Sequence, residues 1–153
     1  MKKVTLLFAA LLLTVVVAQA TTSKTKVADV STWTWNVDGS NIPTLSDNTM
    51  TFVDGTGLGI YGLSYAVASY DYLVVKVTGA SAAADFTIDD DSEGGGWGRY
   101  HVTIPASNDV QYIKIPLGAN TPQFNDGAVR AFSTIKRMWF KGTASSTLTV
   151  SEI

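Results

Sequence analysis

The 153-residue chain contains no cysteine, and this absence excludes several kinds of protein. Without a thiol there is no disulfide, no cysteine nucleophile and no thiolate metal site. The lipid anchor of a bacterial lipoprotein, which is attached to a cysteine, is excluded as well. The fold must therefore be stabilised by its hydrophobic core, alone or together with a metal.

Histidine is almost as scarce, since His101 is the only one in the chain. A zinc site would need carboxylate ligands, and a catalytic histidine would need a nucleophile and an orienting acid within reach. No serine lies in a nucleophile-elbow motif. The alternative to a catalytic or zinc-binding role is that His101 simply lies on the surface or forms hydrogen bonds.

Basic residues do not predominate either: 11 Lys and Arg stand against 13 Asp and Glu, for a formal net charge of -2. This balance argues against a nucleic-acid partner, which requires a basic stripe. No stretch after the first twenty residues has a helical period of useful length, and no second long apolar run predicts a membrane span.

The longest apolar run lies at the start of the sequence. A basic pair, Lys2–Lys3, precedes the apolar stretch Val4–Val17, and Ala18–Ala20 has the A-x-A pattern of a signal-peptidase site. We expect residues 1–20 to be a cleaved secretory signal peptide and residues 21–153 to be a single β-sandwich domain, secreted or periplasmic. A membrane anchor is the alternative, but the run is short for a span.

The rest of the sequence is typical of an all-β exported domain. It is rich in Thr, Ser, Gly and Val, and 10% of the residues of the full chain are aromatic. Short alternating segments recur about every ten residues with turn signals between them, which predicts a β-sandwich or barrel. The clearest predicted strands are 70–78, 84–88, 97–104, 110–117, 135–141 and 147–153.

Two local patterns carry more specific expectations. The Asp54-Gly55 turn signal between segments 49–53 and 57–63 predicts a β-hairpin. Trp33 and Trp35 are two residues apart, so on a strand they would share one face. That arrangement favours a pair that covers one end of the sandwich.

Candidate ligand-contacting residues lie on two of the predicted strands. In the first, which follows an acidic, glycine-rich loop, alternation puts Trp97, Arg99 and His101 on one face. In the second, Arg137, Trp139 and Lys141 face outward while Met138 and Phe140 face the core. A tryptophan flanked by cations suits a sugar, including an acidic one. The alternative is that one or both tryptophans belong to the core, where this residue is more often found.

Three segments resemble the non-catalytic carbohydrate-binding modules of bacterial polysaccharide-degrading systems, which have the galactose-binding-like jelly-roll fold. They are SYDYLVVKVTG, YIKIPL and STIKRMWFKGTASSTLTVSEI, and the resemblance extends from about Trp33 to Ile153. It implies a jelly-roll β-sandwich of two antiparallel sheets in which exposed aromatic rings stack on sugars. The ligand-binding residues we expect are Trp97, Arg99, His101, Arg137, Trp139 and Tyr72.

The same resemblance implies a structural calcium ion between the first and last strands, where Asp29 and Glu152 are the candidates by position. The acidic run Asp89–Glu93 is a second candidate, although it lacks EF-hand spacing.

The sequence as a whole predicts a secreted, non-catalytic protein that binds a carbohydrate. One alternative is a structural or adhesive surface protein that binds a protein partner. The other is a small glycan-active enzyme.

Overall fold

The computed structural model describes residues 25–37, 43–53, 55–90, 99–118 and 131–153. The predicted signal peptide, residues 1–20, lies outside these ranges. Within them, no helix has the length and apolarity needed to cross a membrane.

Short strands make up most of the described chain, and a 3-10 turn at Val30–Thr32 precedes them. The strands are β1 (Trp35–Asn36), β2 (Thr44–Ser46), β3 (Thr49–Phe52), β4 (Gly57–Ile60), β5 (Tyr65–Ala66), β6 (Tyr72–Ala80), β7 (Ala84–Asp89), β8 (Arg99–Ile104), β9 (Gln111–Pro116), β10 (Thr134–Ile135), β11 (Arg137–Gly142) and β12 (Ser146–Glu152).

The strands form two five-stranded antiparallel sheets. Sheet A has the order β1-β4-β11-β7-β8 and sheet B the order β2-β3-β12-β6-β9, while β5 and β10 pair separately. When the short edge strands β1 and β2 are set aside, the inner orders β4-β11-β7-β8 and β3-β12-β6-β9 are those of a jelly roll. The structure therefore confirms the all-β, jelly-roll sandwich of two antiparallel sheets.

The core lies between the two sheets and is built around stacked aromatic rings. The rings of Phe86 and Phe140 stack with centroids 4.5 Å apart, and the ring of Trp33 stacks with that of Phe140 at 5.3 Å. Met138 is fully buried beside them. The predicted alternation along β11 is thus confirmed, because Met138 and Phe140 face the core.

The predicted pairing of Trp33 with Trp35 on one face is wrong. Trp33 is buried in the core, whereas Trp35 contacts Trp139 on the opposite side of sheet A. The physical reason is local. Trp33 follows the 3-10 turn and precedes β1, so the two-residue alternation of a strand does not include it.

The predicted hairpin around Asp54-Gly55 is wrong as well. β3 pairs within sheet B and β4 within sheet A, so the chain crosses from one sheet to the other at this turn. Phe52 and Leu58 are both buried, and the crossing lets them reach the core from opposite sheets. The hairpin in this region joins β2 to β3, and its turn holds Asp47 at φ 51°.

Candidate functional site

The side of sheet A that faces away from the core carries an unusual set of aromatic and charged residues. We call it the outer face of sheet A. Its central row crosses all five strands and consists of Trp35, Gly59, Trp139, Thr87 and His101. In a neighbouring row, Arg137, Asp89 and Arg99 lie side by side on β11, β7 and β8.

Gly59 gives the two tryptophans the space to lie against the sheet. A β-carbon at this position would come within 2.6 Å of the Trp139 Cβ and 3.0 Å of the Trp35 ring. The two indole rings meet edge to face, with centroids 5.7 Å apart at 82°, which is a favourable arrangement for aromatic quadrupoles. Trp139 is consequently only 8% exposed, whereas Trp35 is half-buried.

Asp89 is a fully buried carboxylate beneath this face. Nε of Arg99 donates a hydrogen bond to its Oδ2 at 2.9 Å, and Nη2 of Arg137 lies 3.3 Å from the same oxygen. Two guanidinium groups therefore compensate one buried charge, as burial of a carboxylate requires.

Arg99 also packs on the aromatic layer. Its guanidinium carbon lies 5.3 Å from the centroid of the Trp139 ring, within cation–π range. The same side chain thus connects the buried carboxylate to the tryptophan pair. This connection fixes the position of the cationic group relative to the rings.

An open cleft of about 650 Å³ lies at one side of this face. Trp35 and Tyr61 form its aromatic wall, with their rings edge to face at 5.8 Å and 76°. Tyr61 is 66% exposed. The described lining residues are Trp35, Tyr61, Gly62, Leu63, Ser64, Lys136 and Arg137.

The main chain holds the two sides of the cleft together. Gly62, at φ 73°, allows the chain to turn after β4. The amide of Leu63 then donates to the Lys136 carbonyl at 2.9 Å, and the Lys136 amide donates to the Asp89 carbonyl at 2.8 Å. Two main-chain hydrogen bonds therefore connect the turn after β4, through Lys136, to the end of β7.

Most of the sequence-predicted ligand residues fall on the outer face of sheet A. Arg99 and His101 lie there half-buried on β8, and Arg137 and Trp139 lie there on β11. Trp97 lies outside the described residues. Among the described members of this set, Arg137 alone lines the cleft. The part of all of them in ligand binding stays a prediction.

Tyr72 is separated from the others because it lies on the outer surface of sheet B. It is 56% exposed, and Tyr112 on the neighbouring strand is 62% exposed. Lys114 lies over the Tyr72 ring at 5.8 Å and Lys76 over the Tyr112 ring at 5.9 Å. The structure thus assigns Tyr72 to a second aromatic surface on the opposite side of the sandwich.

Sequence reasoning missed three residues of the cleft: Trp35, Tyr61 and Lys136. Their side chains converge through pairing between strands that are distant in sequence, since β4 lies between β1 and β11. A usable signal was the Gly57-x-Gly59 pattern in a predicted strand. Because glycine has no side chain, a glycine within a strand often marks a place where another group approaches the main chain closely.

The two residues proposed for calcium, Asp29 and Glu152, line one small cleft of about 280 Å³. Asp29 caps the 3-10 turn: its Oδ1 accepts from the Ser31 amide at 3.1 Å, and its Oδ2 accepts from Lys26 Nζ at 3.2 Å. The Ser31 hydroxyl also donates to Oδ1, at 2.7 Å. This hydrogen bond, followed by those from Lys26 and the Ser31 amide, lowers the pKa of Asp29 below its ordinary 3.8.

Calcium requires about six to eight oxygen ligands. In the described parts of the chain, no group of three or more His, Asp or Glu side chains could hold a metal ion. Main-chain carbonyls and amide side chains also supply calcium ligands, and Asp47, Asn48 and Ser151 line the same cleft. Calcium at Asp29 and Glu152 therefore stays a prediction. The second candidate, the run Asp89–Glu93, extends beyond the described residues, so calcium there stays a prediction.

Comparison of the chain with protein-family models, with curated proteins and with solved structures gave no match. The class defined by the strand order is a jelly-roll sandwich. In this chain the outer face of sheet A carries the Trp35–Trp139 pair beside the ion pairs of Asp89.

Proposed function

We propose that the protein is a secreted, non-catalytic carbohydrate-binding protein that holds its ligand in the cleft beside Trp35 and Tyr61. The observation that carries this proposal is the exposed aromatic wall, in which Tyr61 is 66% exposed and meets Trp35 at 76°. Export follows from the predicted signal peptide, and the resemblance to jelly-roll carbohydrate-binding modules supports the same function.

The chemistry of the wall suits a sugar ring. A pyranose has an apolar C–H surface, which an aromatic ring covers, and a rim of hydroxyl groups. Ser64, Lys136 and Arg137 line the same cleft and carry hydrogen-bonding groups for that rim. A volume of about 650 Å³ is within the range of small-molecule sites.

Affinity electrophoresis against a panel of soluble polysaccharides tests this proposal. At least one polysaccharide is expected to retard the wild-type protein, and Trp35→Ala or Tyr61→Ala should weaken the interaction about tenfold by removing ring contacts. Trp97→Ala tests the predicted ligand residue before β8 in the same gels. If no polysaccharide retards the wild-type protein, the carbohydrate proposal fails.

Tyr112→Ala is the matched control because it removes an equally exposed aromatic ring from the opposite sheet. The control variant should be retarded like the wild type. Equal losses in Tyr61→Ala and Tyr112→Ala would show that the cleft is not the binding site.

The aromatic surface of sheet B supports a second candidate, an adhesive protein that binds a protein partner. Its basis is the exposure of Tyr72 and Tyr112 on neighbouring strands. Sedimentation velocity over a range of concentrations tests for self-association through this surface. Association that is abolished by Tyr72→Ala and retained in Tyr61→Ala would favour the adhesive function.

A further inference from the structure

Strand β9 forms one edge of sheet B, and in the described parts of the chain it pairs on one side only, with β6. Just after the strand, the Leu117 amide donates to the Asp71 carbonyl at 2.9 Å. Main-chain groups in an antiparallel ladder point to opposite sides at alternate residues. The amide and carbonyl of Ile113 therefore face β6, whereas those of Tyr112 and Lys114 face away from the sheet.

The side chains of this edge are only partly covered. Ile113 faces the core but is half-buried, whereas Val75, its partner on β6, is fully buried. Tyr112 and Lys114 are both exposed on the outer surface of sheet B. A strand edge with outward main-chain groups and exposed side chains of this kind is a template for pairing with another strand.

We propose that β9 pairs antiparallel with β9 of a second copy of this chain, about a two-fold axis at Ile113. In this register Tyr112 of each copy lies opposite Lys114 of the other, as the symmetry requires. The main-chain groups of these two residues, which face away from β6, form the ladder between the copies. The two B sheets thereby join into one continuous sheet.

The side chains of the edge select this register. A lysine opposite a tyrosine is a favourable pair, and the chain already uses such a contact, since Lys114 Nζ lies 5.8 Å from the centroid of the Tyr72 ring. The two Ile113 side chains meet on the core side and cover each other's exposed surface. A two-fold axis at Lys114 would instead place like charges opposite each other, which is unfavourable.

This pairing is independent of the proposed glycan cleft, because none of the described residues that line the cleft belongs to β6 or β9. It also differs from adhesion through the outer surface of sheet B, because it uses the edge of that sheet. The edge is short, so the interface is smaller than that of a stable dimer. The expected dissociation constant is on the order of 10–100 µM.

Two measurements on the wild-type protein test the proposal. Sedimentation velocity over a range of concentrations should show a monomer that converts to a dimer. Amide hydrogen exchange then locates the contact. At about ten times the dissociation constant, the Tyr112 and Lys114 amides should exchange about fivefold more slowly than in the monomer. The Ile113 amide, which faces β6, should be protected at every concentration.

Variants test the register. Tyr112→Lys should weaken association at least about tenfold, because it places lysines opposite each other across the axis. Combining it with Lys114→Tyr exchanges the two side chains and regenerates both pairs, so association should return to within about threefold of the wild type. Val74→Lys is the matched control, since it adds the same charge on β6, which is paired on both sides. This control should associate like the wild type.

The contrary outcomes are distinct. A wild-type protein that stays monomeric up to about ten times the expected dissociation constant would reject the proposal. Association without added protection of the Tyr112 and Lys114 amides, abolished by Tyr72→Ala, would assign the contact to the outer surface of sheet B and reject the edge. An exchange variant that associates as weakly as Tyr112→Lys, with a native circular dichroism spectrum, would reject the register.

Discussion

The guanidinium carbon of Arg99 lies 5.3 Å from the centroid of the Trp139 ring on the outer face of sheet A. Arg99 also donates to the buried carboxylate of Asp89. One side chain therefore joins the charged and the aromatic parts of this face. Substitutions at Asp89, or at Gly59 beside Trp139, should therefore affect both the stability of the fold and ligand binding.

Asp89→Asn is expected to lower the free energy of unfolding by about 2–3 kcal/mol. Loss of one partner of a fully buried ion pair costs about 3–5 kcal/mol, and the cost is smaller here because both arginines are partly exposed. Denaturant titration measures the change. Asp85→Asn, at a less buried position of the same strand, is the control and should change stability by about 1 kcal/mol or less.

Gly59→Ala should destabilise the protein and disturb the tryptophan pair. The new β-carbon would meet the Trp139 Cβ and the main-chain carbonyl of Met138 at distances that require a shift. We expect a loss of about 1–3 kcal/mol, a changed near-ultraviolet circular dichroism spectrum and weaker glycan binding.

Gly79→Ala provides the control for this substitution. Gly79 also lies in a strand, but an added β-carbon there would have no neighbour within 4 Å. This variant should be as stable as the wild type or slightly more stable. Similar losses in both variants would contradict the packing role of Gly59.

The stabilising effect of Asp29 should depend on pH. Because hydrogen bonds from Ser31 and Lys26 lower the pKa of Asp29 below 3.8, its ionised form stabilises the fold above that pH. This contribution is lost as the pH falls through the lowered pKa. The difference in Tm between wild type and Asp29→Asn should thus be present at neutral pH and disappear in acid.

Asp71→Asn serves as the comparison because it removes another exposed carboxylate. A difference between wild type and Asp29→Asn that persists at the lowest pH would show that the capping charge is not its cause.

A calcium ion bound at Asp29 and Glu152, as the sequence predicts, should enlarge the effect of Asp29→Asn, because the substitution removes a carboxylate ligand. The Tm difference between wild type and the variant is measured with calcium chloride and with a chelator, since an ion that binds the folded state raises Tm. A difference that appears only with calcium would assign an ion to Asp29. A calcium-dependent rise in Tm that is equal in the wild type and Asp29→Asn would favour the acidic run Asp89–Glu93 as the calcium site.

Strand alternation explains how much of the candidate site was predictable. On β8 and β11 the two-residue period correctly distinguished the outward Arg99, His101 and Arg137 from the buried Met138 and Phe140. It failed at Trp33, where a 3-10 turn precedes the strand. It also failed to show that Tyr72 belongs to the other sheet, because periodicity assigns a face and not a partner strand.

The sequence by itself determined the all-β character, the positions of the long strands and the inward or outward direction of their side chains. These properties depend on local alternation and turn residues, which act over a few positions. Tertiary structure decided which strands became neighbours. Trp35, Tyr61 and Lys136 form one cleft only because β1, β4 and β11 pair across long stretches of chain, and burial of the shared core selects that pairing.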